Sequence, residues 1–116
     1  MHKHDIIYQT SLIAQKSNMN KKYGCVITHR NKIISTGFNF NNAHNNNLSS
    51  NIYEPYKYST HAEQDAISKI KNKNILNRCK IYIIKLDKLN NVKSAIPCPV
   101  CYKLLNKYKI TKIISI

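Results

Sequence analysis

Acidic residues are scarce in this chain of 116 residues: five Asp and Glu stand against nineteen Lys and Arg, giving a formal charge of +14. A charge of that size on a small protein draws phosphate-bearing partners. A second scarcity discounts the inference, because Arg occurs only as Arg30 and Arg78. Lys, Asn, Ile and Tyr are abundant and have AT-rich codons, so part of the charge is attributable to genome composition, with a large DNA virus among the candidate sources. No apolar run approaches the roughly 20 residues of a membrane helix. Met1-His2-Lys3-His4-Asp5 opens no signal-peptide pattern. The expectation is a soluble, cytoplasmic protein with no membrane partner. There is no internal repeat and no linker, and the length suffices for one core, so residues 1–116 are expected to form a single domain.

What is present reads as alternating elements. Asp5 can cap a helix reaching about Met19, with Ile6, Ile7, Ile13 and Ala14 as its apolar stripe. Tyr23 to Thr28 and Ile33 to Phe38 read as two strands joined by a turn around His29-Arg30-Asn31, a hairpin signal. Asn39 to Ser59, rich in Asn, Ser and Tyr without period, reads as a long loop, and loops of that length in small domains are usually functional. A second helix is expected from His61 to about Lys71, then a nearly unbroken apolar strand, Ile81 to Leu86. Asp87 to Ile96 reads as an irregular connection. A third helix carries Cys101, Leu104, Leu105 and Tyr108 on one stripe, and Ile110 to Ile116 closes as a strand. Right-handed crossovers through the last two helices make the later strands parallel neighbours and bring both helix starts to one sheet edge, where ligands of open α/β sheets bind.

Two short strings lie at those helix starts: His61-Ala62-Glu63 and Pro97-Cys98-Pro99-Val100-Cys101. One imidazole and two thiolates are three ligands for zinc, leaving a fourth position open, which is how catalytic zinc sites differ from closed structural ones. Cys98 and Cys101 are one helical turn apart, so both sulfurs can face one metal. Pro99 suits the first helical position, making Cys98 the N-cap, and thiolates are favoured near a helix N-terminus. Glu63, two residues beyond His61, is placed to carry protons. Plainer readings stand beside these. Thr60-His61-Ala62-Glu63 is also a capping box in which Glu63 folds back onto the Thr60 amide. A lone C-x-x-C can be a redox pair or half of a structural zinc knot. The redox pair belongs after a first strand, whereas this motif comes late. The knot needs a second metal-binding pair, whereas Cys25 and Cys79 are isolated in or beside apolar strands, where cysteine acts as a small hydrophobe.

The order H-x-E then P-C-x-x-C marks zinc-dependent nucleobase deaminases, and the chain resembles the cytidine/deoxycytidylate deaminase superfamily over nearly its whole length. The resemblance implies an α/β protein with a three-layer α/β/α fold, a mixed sheet and an N-terminal hairpin. Many relatives continue with a further helix and strand, which wall the pocket or pack subunits of a homo-oligomer, so this chain is expected to be C-terminally short. The long Asp87 to Ile96 connection looks more like nucleotide deaminases of viruses and phages than tRNA adenosine deaminases.

The resemblance further implies zinc held by His61, Cys98 and Cys101, with Glu63 catalytic. It assigns substrate contacts to Asn39, from Gly37-Phe38-Asn39, and to the backbone amide of Ala62, whose place in a first helical turn leaves it free to hold a ring carbonyl. Tyr53, Tyr56 and Tyr58 could stack on a base or simply pack at the loop base; His2, His4, His29 and His44 read as solvated surface. The expected reaction is hydrolytic deamination of a cytosine-bearing nucleotide or nucleoside, dCMP or a relative, with ammonia release. The alternatives are a deaminase of single-stranded nucleic acid, tRNA or a purine base, and a noncatalytic zinc-stabilised module that binds nucleic acid. A small-molecule nucleotide is the expected partner, with nucleic acid second.

Overall fold

A computed structural model describes residues 2–41 and 59–115. Helix α1 (Lys3–Ala14) leads into an antiparallel pair, β1 (Lys22–His29) and β2 (Lys32–Phe38). The pair is closed by the two-residue turn Arg30-Asn31, both residues at positive φ (53° and 64°). Left-handed conformation at both turn residues matches the twist of a tight hairpin. Then come β3 (Phe40–Asn41), β4 (Ser59–Thr60), α2 (Ala62–Ser68), a 3-10 helix (Lys73–Arg78), β5 (Lys80–Leu86), β6 (Val92–Ser94), α3 (Pro99–Lys107) and β7 (Lys112–Ile114).

The main sheet runs β2-β1-β5, and the far edge of β5 is shared: β6 pairs antiparallel with Ile84–Leu86 and β7 parallel with Lys80–Tyr82. The alternation of side chains along β1 assigns the two layers of helix. Gly24, Val26 and their partners Ile84 and Tyr82 share the face covered by Ile6 and Ala14 of α1. Cys25, Ile27, Ile81 and Ile83 share the opposite face with Ala62, Ala66 and Ile67 of α2 and Leu105 of α3. The result is the expected three-layer α/β/α arrangement with a mixed, mostly antiparallel sheet and an N-terminal hairpin.

Several boundaries differ from expectation, each for a local reason. Helix α1 starts at Lys3 with His2 as N-cap and ends at Ala14, not Met19. Its buried face is Ile6, Thr10, Ser11 and Ala14, while Ile7 and Ile13 are half-buried. Small residues are needed there because α1 lies directly on Gly24, whose missing Cβ would stand 2.5 Å from the Thr10 carbonyl. The segment expected as one loop, Asn39 to Ser59, begins and ends as the paired strands β3 and β4; Tyr53, Tyr56, Tyr58 and His44 lie outside the described residues. Helix α2 stops at Ser68 rather than Lys71, and the chain re-forms as a 3-10 helix whose Asn72 side chain accepts from the Asn74 amide.

The connection Asp87 to Ile96 is not irregular. The Asp87 carboxylate accepts from the amides of Leu89 (2.9 Å) and Asn91 (2.8 Å), Asn90 takes φ 63°, and the chain turns back as β6. The closing strand is shorter than Ile110 to Ile116: Ile110 is buried among the α2/α3-side core, and pairing starts only at Lys112. The parallel neighbours expected from the crossovers are β5 and β7, while β2 and β5 run parallel with β1 between them. Among the described residues no helix is long and apolar enough to cross a membrane.

Candidate active site

Helix α2 is fixed to β2 by four devices. Gly37 lets it approach so closely that an added Cβ would lie 2.3 Å from the Ala62 carbonyl. Its φ is not positive, so the requirement is space rather than backbone freedom. The Ser35 hydroxyl donates to the Ala66 carbonyl (2.6 Å). Buried Asp65 accepts from the Phe38 amide and from Lys69, each at 3.2 Å. Lys69 donates in turn to the Thr36 carbonyl (3.0 Å). The β3-β4 pair then delivers Thr60 to the start of the helix.

The N-cap of α2 is His61, in extended conformation, with the Asp65 amide bonded to its carbonyl at 2.9 Å. That corrects the capping-box reading. With Thr60 as N-cap, Glu63 would be the third helical residue; with His61 in that role it is the second. Glu63 is instead buried and lines the cavity over the site.

Helix α3 opens as Pro99 at the first helical position predicts. Cys98 is its N-cap, and its sulfur accepts from the Cys101 amide at 3.4 Å. Both sulfurs meet the other helix start: His61 Nδ1 lies 3.6 Å from Cys98 Sγ and 3.5 Å from Cys101 Sγ. Zn–S bonds near 2.3 Å and Zn–N bonds near 2.05 Å at a tetrahedral angle put S and N about 3.6 Å apart. The donor set therefore fits zinc by spacing as well as by chemistry. Among the described residues this is the one His, Cys, Asp or Glu group of three so converged.

Cys25 and Cys79 do not join it. Burial, and after it the neighbouring Glu63 carboxylate, pushes the Cys25 thiol well above its ordinary range. Burial also raises Cys79, whose sulfur donates to the Ile75 carbonyl (3.3 Å). Both remain protonated packing residues, as the sequence implied.

The cavity in front of these donors measures about 220 Å³. His61, Ala62, Glu63 and Cys98 line it together with Tyr23, Ile83, Ile96 and Lys21. Asn39 lines it as well, with much of its amide engaged by the main chain. Its Oδ1 accepts from the Tyr23 amide (2.8 Å), and its Nδ2 donates to the Lys21 carbonyl (2.6 Å). Asn39 thus holds the start of β1 in the cavity wall. Sequence reasoning missed Lys21, Tyr23, Ile83 and Ile96, which carry no motif, and missed Asp65 and Ser35, whose role is to hold α2.

The family defined as the cytidine and deoxycytidylate deaminase zinc-binding region matches residues 2–116. The chain belongs to that family. The deaminase is therefore an enzyme acting on nucleotides or nucleosides with zinc as its metal. Among solved structures it is similar to a dCMP deaminase from the cyanophage S-TIM5 (TM-score 0.65, 20% identity, 97% of this chain and 82% of that one). That enzyme is also known in complex with dCMP and dUMP. The deaminase is similar too to cytidine deaminases of Burkholderia pseudomallei (TM-score 0.68, 16% identity, 99% and 84% covered) and Mycobacterium tuberculosis (TM-score 0.57, 12% identity, 97% and 83% covered). Identities this low establish a shared fold. No curated protein sequence matches the deaminase.

Proposed function

We propose that the enzyme hydrolyses the exocyclic amine of a cytosine-bearing nucleotide, dCMP or a close relative, yielding the uracil form and ammonia, and that residues 1–116 act as a single catalytic domain. The carrying observation is the convergence of His61, Cys98 and Cys101 beneath a cavity that Glu63 and Lys21 both line. In this reading His61, Cys98 and Cys101 hold the zinc. Zinc bound by three protein ligands supplies a reactive water at neutral pH by lowering its pKa to about 7.

The chain's own residues do the rest. Glu63 accepts the proton of the attacking water and delivers it to the ring nitrogen beside the reacting carbon, then carries a proton to the departing amine. Its burial in the cavity lining shields that transfer from bulk water. The Ala62 amide is assigned to the ring carbonyl, and Asn39 to the sugar with the hydrogen-bonding capacity its main-chain bonds leave over. Tyr23, Ile83 and Ile96 offer apolar contact to the base. Lys21 is assigned the substrate phosphate, because besides the imidazole of His61 it is the one basic group among the described cavity residues.

The test is ammonia release by zinc-loaded protein from dCMP, deoxycytidine and a cytosine-containing oligonucleotide. We expect turnover of dCMP. Lys21→Met should raise KM for dCMP about tenfold or more, the worth of one charge-assisted hydrogen bond, and leave deoxycytidine unaffected. Release from the oligonucleotide alone, falling steeply with salt, would transfer the assignment to polynucleotide substrates. No release from any of the three would overturn the reading.

A further inference from the structure

The chain's two arginines are far apart in sequence, yet Arg30 and Arg78 line the same cavity, about 350 Å³ in volume. It lies at the end of the sheet away from the zinc ligands. Tyr23, at the start of β1, walls the active site, whereas Thr28, five residues on and about 16 Å along an extended strand, walls this second cavity. Sheet register builds its base: Thr28 pairs with Lys80, and Lys80 with Lys112, a row across β1, β5 and β7. Arg30 comes to it from the β1-β2 turn and Arg78 from the end of the 3-10 helix.

Arg30, Arg78, Lys80 and Lys112, with His29 beside them, thus line one cavity that no Asp or Glu among the described residues lines. Among the described residues none of the four side chains has an ion pair or hydrogen-bond partner. Like charges gathered this way oppose folding unless an anion joins them. Codon bias accounts for scattered lysines; it does not account for the convergence of both arginines. Arg30 also stands at φ 53°, where Asn, Asp or Gly is favoured in a two-residue hairpin, so the turn forgoes local stability to place a guanidinium there.

We propose that this cavity binds a phosphate group. Guanidinium forks match phosphate oxygens two at a time, and a phosphate has oxygens enough for two forks and the ammonium groups of Lys80 and Lys112. The phosphate can belong to a small ion or to a nucleic-acid backbone, and the experiment separates them.

Full-length zinc-loaded protein is titrated calorimetrically, and its Tm followed, with inorganic phosphate against chloride at matched ionic strength. A thymine-only oligonucleotide, which has no amine to lose, is used in parallel. We expect Tm to rise with phosphate concentration. Arg30→Asn and Arg78→Gln should each weaken binding about tenfold or more. Arg30→Asn suits its turn better than Arg, so it should fold at least as stably, and lost binding in it cannot be ascribed to misfolding. A response to phosphate and not to the oligonucleotide assigns a small ligand; tighter, salt-steep oligonucleotide binding that the same substitutions abolish assigns a backbone. No response to either probe, or an undiminished response in the Arg30→Asn/Arg78→Gln double variant, would overturn the proposal.

Discussion

Gly37→Ala offers a stringent test of how the fold builds its metal site. The added Cβ would stand 2.3 Å from the Ala62 carbonyl oxygen, 2.6 Å from the Ala66 amide nitrogen and 3.0 Å from the Ala66 Cβ. Two of these neighbours are main chain, so no side-chain rotation relieves them. Restoring an ordinary 3.4 Å contact requires α2 to retreat by about 1.1 Å. Ala62 is flanked by His61 and Glu63, so both functional groups move with it. Ligand distances in a working zinc site hold within about 0.2 Å, and a misplacement near 1 Å costs about a hundredfold in rate. Overpacking usually costs about 1–3 kcal/mol. The upper part of that range is expected here, because the retreat also strains the Ser35–Ala66 and Phe38–Asp65 hydrogen bonds.

Gly24→Ala is the matched control. Its Cβ would meet the Thr10 carbonyl at 2.5 Å and the Ala14 Cβ at 2.9 Å, a similar clash on the opposite face of the sheet against α1. Urea unfolding with and without chelator, together with competition for zinc against a metal indicator, should find both variants destabilised in the apo form. Only Gly37→Ala should lose zinc affinity as well. Zinc binding by Gly37→Ala within about twofold of wild type, or equal losses of affinity in the two variants, would refute the claim that this glycine sets the position of His61.

Cys98→Ser and Cys101→Ser should each lose zinc and, because the metal ties two helix starts together, lose stability that zinc otherwise adds; metal analysis and melting with added zinc read both effects, and full zinc occupancy in either variant would remove that cysteine from the ligand set. Glu63→Gln should fold and hold zinc while turnover falls by about 10² to 10⁴, the usual worth of general acid–base catalysis; near-wild-type ammonia release would leave Glu63 without a chemical role. The Asp87 carboxyl is held below its ordinary value of 3.8, first by the Asn91 amide and further by the Asn91 side chain and the Leu89 amide. Its folded pKa is depressed, so its stabilising contribution is full above about pH 4 and is lost as pH falls through the lower folded value. Asp87→Asn should therefore be less stable than wild type near neutrality, with the gap closing in acid, as urea unfolding across that range would show; a gap independent of pH would refute the linkage.

The order of elements and the convergence of His61, Cys98 and Cys101 were legible because each rests on local chemistry. Pro99 can start a helix and cannot continue one, so Cys98 had to be its N-cap, and the structure places it there. The His29-Arg30-Asn31 turn was legible because the apolar runs on either side must reverse direction to pair. The interior of the Asp87 to Ile96 segment was not. Its hairpin rests on three hydrogen bonds to a single carboxylate and on one residue at positive φ; no hydrophobic period marks it, because its one apolar strand residue, Val92, is only half-buried. The same holds for the face of α1, where Thr10 and Ser11 are buried on account of a glycine in a different element. Periodicity within a segment cannot report what the segment opposite requires.

The ambiguity at Thr60 to Glu63 turns on a single residue of register. Local sequence permits a helix starting after Thr60, with Glu63 folded back onto the Thr60 amide, and equally one starting after His61. The choice is made by tertiary contacts on both sides of the junction. Upstream, Thr60 is drawn into the β3-β4 pair opposite Phe40, which holds it in extended conformation before the helix. Downstream, Asp65 is held by the Phe38 amide and Ala66 by Ser35, which fixes the axial position of α2 on β2. With both ends set, the first helical residue can only be Ala62, and Glu63 lines the cavity. Freeing the downstream end should therefore reopen the choice: Asp65→Asn combined with Ser35→Ala weakens both anchors and leaves the motif residues untouched. If register is set by those anchors, zinc affinity and turnover fall together in the double variant although no ligand has changed. If instead His61-Ala62-Glu63 sets its own register, the double variant loses stability alone.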